Sequence, residues 1–557
     1  MKRLISITAL FIFLTGIITA QIAPEKYYIQ FTDKNNSPYS INNPEEYLAQ
    51  RSIDRRTSFN IPVDVKDLPV NPQYLQGVKD AGASILNPTK WLNGVTVQTS
   101  DPSVITAIEA LPYVANVTKA AIITIDHTEE KDFFANESFG LAEAVNTTNK
   151  GTTFFDYGPS LNQISMLKGD QMHEMGYRGE GVIIGVLDSG FDNADELEVF
   201  DSLWNNNQIL ATHDFVAGGP IAFDKHYHGS MVLSTMGGNY PGQLIGTAPK
   251  ANYLLIRTED AATEYISEEY NWVSGAEFAD SIGADVLNTS LGYSEFDNPS
   301  QNHTYEDMDG NTTPITIGAD VAASRGMVVV NSAGNSGTSS WYYITAPADG
   351  DSVFTIGAVN ASGNFAAFSG HGPTYDGRVK PNVVAQGEGA YTAWIDGSFI
   401  YSNGTSFSSP ITAGMMACLL QANTDMTNMD LMNAVQASGS IATAPDDEIG
   451  YGIPDFMAAH NILTVIESYE NEPFSDLKLY PNPFTSSVEL VLKSKSNSPA
   501  TISIVDMTGR KVFENDYQLE SGNNNIQINE LETLPSGIYF MRMESAASAV
   551  TMKMVKQ

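Results

Sequence analysis

The sequence predicts an α/β protein: a parallel sheet with helices on both faces, preceded by a small α+β unit and followed by a small all-β sandwich. Three observations carry that reading. Between residues 152 and 465, short apolar runs such as VIIGVLDSG, ANYLLIRT, ADVLNTSLG, GMVVVNSAGN and DSVFTIGAV alternate with helical stretches such as NWVSGAEFADSIG and ADVAASRG. That is the rhythm of a parallel sheet buried on both faces. Residues 26 to 125 mix strand-like and helical patterns, whereas 475 to 557 hold strand-like runs separated by turns such as ESGNNN and show no convincing helix.

In chain order, MKRLISITALFIFLTGIITA places Lys2 and Arg3 before an apolar run that ends on small residues, so residues 1–20 read as a secretory signal peptide. No later segment is long and apolar enough to span a bilayer, so no transmembrane anchor is expected. The α+β unit, 21–125, begins with strand-like KYYIQFT and a charged helical stretch around PEEYLAQRSIDRR. It continues through alternating LNGVTVQT, a helix DPSVITAIEAL capped by Asp101 or Ser103, and a closing strand VANVTKAAII. Residues 126–151 are polar and weakly patterned, as a cleavable linker would be. The α/β domain follows at 152–465, then a short linker at 466–474 and the β-sandwich at 475–557.

The net charge of -36 argues against nucleic acid or an anionic membrane as a partner. The charge is unevenly spread: residues 152–465 hold 8 Lys+Arg against 37 Asp+Glu, while 475–557 hold 8 against 9. The shift marks the last segment as a separate module. The single cysteine, Cys418, rules out an internal disulfide, and in the apolar run GMMACLL it reads as a buried thiol.

Three positions stand where chemistry is usually found in parallel sheets, beyond a strand's carboxyl end or at a helix start. Asp188 ends VIIGVLDSG, and His228 opens the helical run in DKHYHGSMVLSTMGG, with His226 two residues earlier and equally eligible by spacing. Ser406, in NGTSFSSPITAGMMACLL, opens a helix after Gly404, with Pro410 expected in or near its first turn. An acid, a base and a hydroxyl together suit nucleophilic catalysis. Asn335, in the glycine-flanked loop VVVNSAGNSG, offers an amide for a developing oxyanion.

The ordered motifs VLDSG, HGS, SLG, SAGN and GTSFSSP resemble those of the subtilases, and the order Asp, His, Ser is the subtilisin order. Further similarity lies in GTAPKANYLLIR, FSGHGPTYDGRVKPNVVAQG and GYGIPDFMAA, so the resemblance covers about 152 to 465. It departs at HGSM, where Met231 replaces a second histidine outside the triad.

This resemblance implies a subtilisin-like fold and a secreted serine endopeptidase. Asp188 would orient His228, His228 would deprotonate Ser406, and the Asn335 side chain with the Ser406 N–H would hold the oxyanion. Ser290, Leu291 and Gly292 would bind substrate backbone and edge the specificity pocket. Residues 21–125 would be an inhibitor-like propeptide. The end of the chain, with LYPNPF, IVDMTGRKV and LPSGIYFMRM, resembles the sorting domain of the type IX secretion pathway, which implies passage through periplasm and outer membrane to the surface or exterior.

Expected partners are therefore protein or peptide substrates, the chain's own propeptide and the type IX machinery. The chemistry requires no cofactor; structural calcium is a possibility in EDMDGN, at Asp307, Asp309 and Asn311. A catalytically silent surface protein or adhesin would be expected to have lost a triad member, and a sedolisin-type acid peptidase would lack the histidine; neither signature is present.

Overall fold

The computed structural model describes residues 25–121, 139–141, 154–221, 223–471, 474–506, 510–529, 531–545 and 549–557. The expected signal peptide lies outside the described residues, as does most of the expected linker 126–151. The chain divides into two compact units, Met1–His460 and Asn461–Gln557.

The first unit opens with strands β1 (Glu25–Phe31), β2 (Ser84–Thr89), β3 (Gly94–Thr99) and β4 (Val114–Ala121), an antiparallel sheet of order β2-β3-β1-β4. Helices α1 (Gln50–Ser58), α2 (Pro72–Asp80) and α3 (Pro102–Glu109) accompany it. Ile29, Val95 and Val97 from the sheet meet Val78 of α2 and Ile108 of α3 in one core. Asp101 caps α3, accepting from Ser103 N at 2.8 Å. The charged stretch expected as one helix is split into a 3₁₀ turn at Pro44–Glu46 and α1. From 126–151 the described part is a strand, β5 (Phe139–Leu141).

Seven parallel strands follow: β6 (Ile183–Asp188), β7 (Ile209–Asp214), β8 (Asn252–Arg257), β9 (Val286–Thr289), β10 (Val328–Ser332), β11 (Val353–Asn360) and β12 (Val383–Glu388). Their order is β12-β11-β10-β9-β6-β8-β7. Every residue of β6 is buried, which explains why it reads as a continuous apolar run. Ile183 and Leu187 face a core shared with α5 (Ser267–Ile282) and α6 (Pro314–Ser324), through Trp272, Ala276 and Ala319. Ile184 and Val186, alternating to the opposite face, are covered from the side of α4 (His228–Gly237) and α7 (Thr405–Ala422), which pack on each other and on the sheet. Beside α4, β13 (Ala390–Ala393) and β14 (Phe399–Ser402) pair antiparallel, and β5 pairs with β14.

The small antiparallel sheet is held to the α/β domain by a buried ionic cluster. Asp280 of α5, fully buried, receives Arg55 at 2.7 Å, Arg56 at 2.9 Å and Lys90 at 3.5 Å. Burial alone would raise its carboxyl pKa, but the neighbouring Lys90, Arg56 and Arg55 hold it down at about 2. Arg51 adds a pair to Asp285 at 2.5 Å, and Arg325 reaches back to Asp64 at 2.9 Å. One turn from Asp280, the Glu277 carboxylate accepts from Lys90 N and Trp91 N at 2.8 and 2.7 Å.

Helix α8 (Phe456–Asn471) occupies the first part of the expected linker 466–474, which is therefore not an extended connection; β15 (Phe474–Tyr480) begins almost at once. The second unit contains β16 (Val488–Ser494), β17 (Ser498–Asp506), β18 (Lys511–Leu519), β19 (Gly522–Ile528), β20 (Gly537–Ser545) and β21 (Ala549–Lys556). They form antiparallel sheets of order β15-β16-β19 and β18-β17-β20-β21. Val488 and Leu490 of one sheet share a core with Ile502, Ile504 and Met541 of the other, as a sandwich requires.

Removing Asp280 would leave the buried Arg55 without its partner carboxylate, while Arg56 keeps Asp67 at 3.1 Å. Asp280→Ala is expected to destabilise the full chain by about 3–5 kcal/mol, read as a lower urea midpoint. Because the Asp280 pKa is depressed in the fold, its contribution is complete above the ordinary aspartate pKa and is lost as pH falls through about 2. An unchanged midpoint in the variant at pH 7 would remove the cluster from the stabilising interactions.

Candidate active site

Strand β6 ends on Asp188, and the first turn of α4 begins at His228. Two glycines let these segments approach. A Cβ on Gly229 would lie 2.3 Å from Gly190 O and 3.0 Å from Asp188 Cβ, and one on Gly190 would lie 2.4 Å from His226 N. At this separation the His228 Nδ1–H donates to Asp188 Oδ1 at 2.7 Å, and both residues are fully buried. Asp188 Oδ1 also accepts from Ser189 N at 2.7 Å. His226, equally eligible by spacing, has its Nδ1 on Ser189 Oγ at 2.7 Å. The structure thus distinguishes the two histidines by which one meets Asp188.

Ser406 stands at the second position of α7 and is 3 % exposed, where backbone N–H groups lack intrahelical acceptors and the helix dipole is positive. The His228 ring lies 6.1 Å, centre to centre, from Phe407, the next residue. Pro410 falls in the second turn, further inside the helix than expected. With no N–H, it cannot serve the carbonyl four residues back, which is that of Ser406. That carbonyl accepts instead from Ser290 Oγ at 2.9 Å. Ser409 Oγ likewise donates to Asn288 Oδ1 at 3.0 Å, so the start of α7 is tied to the end of β9 twice.

Asn335 lies in the loop after β10, and its Oδ1 accepts from Thr405 N at 2.8 Å and from Thr405 Oγ1 at 3.0 Å. These bonds fix the amide so that Nδ2 is the end turned away from Thr405. Ser290, Leu291, Gly292, Asn335 and Ser406 line a common cavity of about 310 Å³. A larger cavity of about 500 Å³, lined by Arg51, Asp285 and Gln421, contains none of these residues.

Asp307, Asp309 and Asn311, the expected calcium candidates, take part in local hydrogen bonds. Asp307 Oδ2 accepts from Thr304 N and Oγ1, Asp309 accepts from Asn311 N and Thr312 Oγ1, and the Asn311 amide donates to Asp309 O. Sequence reasoning missed a different set, Glu259, Glu264 and Glu268, whose carboxylates converge beside the cavity. The available signal was the four-residue spacing of Glu264 and Glu268 at a helix start. Cys418 is buried as expected, its thiol donating to Thr247 O at 3.2 Å, and burial pushes its pKa up.

Residues 179–452 match the family model of the subtilase family, residues 26–133 that of a peptidase S8 propeptide domain of Bacteroidota, and residues 478–557 that of a secretion system C-terminal sorting domain. Subtilisin DY from Bacillus licheniformis is 30 % identical over 293 residues, covering 52 % of this chain and 93 % of that protein. Subtilisin E from Bacillus subtilis (strain 168) is 28 % identical over 325 residues, covering 58 % and 75 %. Among solved structures, MycP1 from Mycobacterium smegmatis aligns with a TM-score of 0.43 at 21 % identity, over 58 % of this chain and 89 % of that one.

Ser290→Ala is expected to leave the buried Ser406 carbonyl without its donor and to destabilise the fold by about 1–3 kcal/mol, measured by urea unfolding. A variant as stable as the parent would show that this bond does not anchor α7.

Proposed function

The chain belongs to the subtilase family, and we propose that it cleaves peptide bonds through Asp188, His228 and Ser406 by way of an acyl-enzyme. It is a serine-type endopeptidase delivered to the cell surface or exterior, with a propeptide domain ahead of its catalytic domain and a sorting domain behind it. The assignment of the triad rests on one observation above others: the 2.7 Å bond from His228 Nδ1 to Asp188 Oδ1, formed beside the helix whose second residue is Ser406.

With Nδ1–H given to Asp188, the imidazole presents Nε2 as the base. It takes the Ser406 Oγ proton as the oxygen attacks the scissile carbonyl. Negative charge then builds on the carbonyl oxygen, where the Asn335 Nδ2 and the Ser406 N–H donate to it. Asp188 stabilises the imidazolium so formed. Collapse breaks the C–N bond, and His228 returns the proton to the leaving amine. Water, deprotonated by the same nitrogen, hydrolyses the ester and frees Ser406. Ser290, Leu291 and Gly292 hold the substrate backbone along the cavity.

The proposed precursor has a signal peptide at 1–20, an inhibitory propeptide at 21–125, a maturation region at 126–151, a catalytic domain over 152–465 and a sorting sandwich at 475–557. The ionic cluster around Asp280 supports the inhibitory role, since it keeps the N-terminal sheet on α5. The chain would be latent until that sheet is released.

A serine-directed fluorophosphonate is expected to label the processed protein at Ser406, with labelling and casein hydrolysis abolished in Ser406→Ala. Processed protein that is inert and unlabelled would refute the mechanism. Asn335→Ala is expected to lower kcat by about 10² to 10³, the effect seen when such a donor is removed from a subtilisin; unchanged turnover would take Asn335 out of the oxyanion role.

A further inference from the structure

We infer that Glu259, Glu264 and Glu268 bind a divalent cation of the calcium class, which fastens the loop after β8 to the first turn of α5. This inference stands apart from the proposed role of Ser406. One carboxylate oxygen from each residue lies within 4.8 Å of the other two, a spacing that a single ion can bridge. The residues are 3 %, 2 % and 3 % exposed, so water does not solvate the trio from outside.

The hydrogen bonds within the cluster do not satisfy it. Tyr293 Oη donates to Glu259 Oε2, Thr263 Oγ1 reaches Glu268 Oε1 at 3.3 Å, and the Glu259 and Glu264 carboxyls hydrogen-bond to each other. Glu264 Oε2 and Glu268 Oε2 are buried with no hydrogen-bond partner. Among the described residues, no Lys, Arg or His forms an ion pair with any of the three. Burial, reinforced by mutual repulsion, raises the Glu264 carboxyl pKa well above the ordinary range, and burial with repulsion from Glu259 does the same for Glu268. Buried carboxylates in this position must hold either protons or a cation.

The donor set selects the cation. Three carboxylates with no imidazole or thiolate suit a hard ion that takes oxygen ligands, and calcium accepts an irregular shell completed by water. Water and ion have a route in, because Glu259 and Glu264 also line the cavity that contains Ser406. The ion would act beyond its own ligands: Glu259 holds Tyr293 just after Gly292, and Glu264 O accepts from Asp297 N at 2.8 Å. Neutralising the glutamates thereby braces the segment after β9 that edges the cavity.

The test is a calcium titration of the metal-stripped full chain, followed by calorimetry and thermal unfolding, with terbium luminescence sensitised through Tyr293 as an independent readout. Calcium is expected to bind and raise Tm, and to displace terbium. Glu264→Gln and Glu268→Gln should each weaken one site by at least about tenfold, while Asp309→Asn leaves it unchanged. Equal calcium affinity and Tm gain in parent and both Gln variants would overturn the inference. So would a calcium-indifferent parent whose cleavage of Lys- or Arg-containing peptides falls in Glu264→Gln, since the trio would then receive a cationic side chain. If either Gln variant fails to fold, absence of calcium-displaceable terbium emission from the parent still refutes the site.

Discussion

A sheet whose strands all run one way gathers every carboxyl end on a single edge, and the candidate site depends on that constraint. Asp188 ends β6, Ser290 follows β9 and Asn335 follows β10. These are residues far apart in sequence whose strands are neighbours in the order β10-β9-β6. Helices α4 and α7, on the return side of the crossovers, bring His228 and Ser406 to the same edge with their amino-terminal turns facing it. The remaining adjustments are local: two glycines admit the α4 turn to Asp188, and Ser290 replaces the donor that Pro410 lacks. A change in strand direction anywhere in the middle of the sheet would scatter all of these groups.

Helix α5 links the three regions of the first unit. Its first turn carries Glu268, its middle packs Trp272 and Ala276 on the sheet, and its last turns present Glu277 and Asp280 to the N-terminal sheet. Apolar packing fixes the helix, and charge decides what lies at either end. At one end Asp280, beside Lys90, Arg56 and Arg55, has its pKa lowered, although burial still raises that of Glu277 to about 7; at the other, carboxylates face each other and theirs rise. Burial is common to Asp280 and Glu268, so the difference between those two comes from their neighbours.

Much of this was legible in the sequence because the signals were local. The apolar runs ending in Asp188 and preceding Asn335 mark buried strands, and the paired Gly and Ser residues around His228 and Ser406 mark helix starts. The choice between His226 and His228 was not legible from spacing, since it depends on which ring reaches Asp188 across a close contact of Gly190 and Gly229. Pro410 lies deeper in its helix than its sequence suggests because a distant hydroxyl compensates for its missing donor. Asp307, Asp309 and Asn311 alternate as calcium ligands often do, yet each is used by its own turn. Glu259, Glu264 and Glu268 look like a solvated acidic stretch; only the packing of the loop onto α5 makes them buried. That the helix α8 continues to Asn471 was not legible, because the polar residues Glu467 to Asn471 carry no clear helical pattern.

The seam between the N-terminal sheet and α5 is electrically lopsided. Arg51, Arg55, Arg56 and Lys90 stand on one side, opposite Asp280 and Asp285, with Arg325 the reverse case. Once parted, the two surfaces would carry opposite fields, so their re-encounter is steered from a distance and slows as ionic strength shortens the reach of those fields. The hold of the pairs to Asp280, buried from solvent, is far less sensitive to salt. The seam therefore couples a salt-dependent approach to a salt-resistant embrace, and a dilute outer medium would favour recapture of a released N-terminal piece more than a saline one.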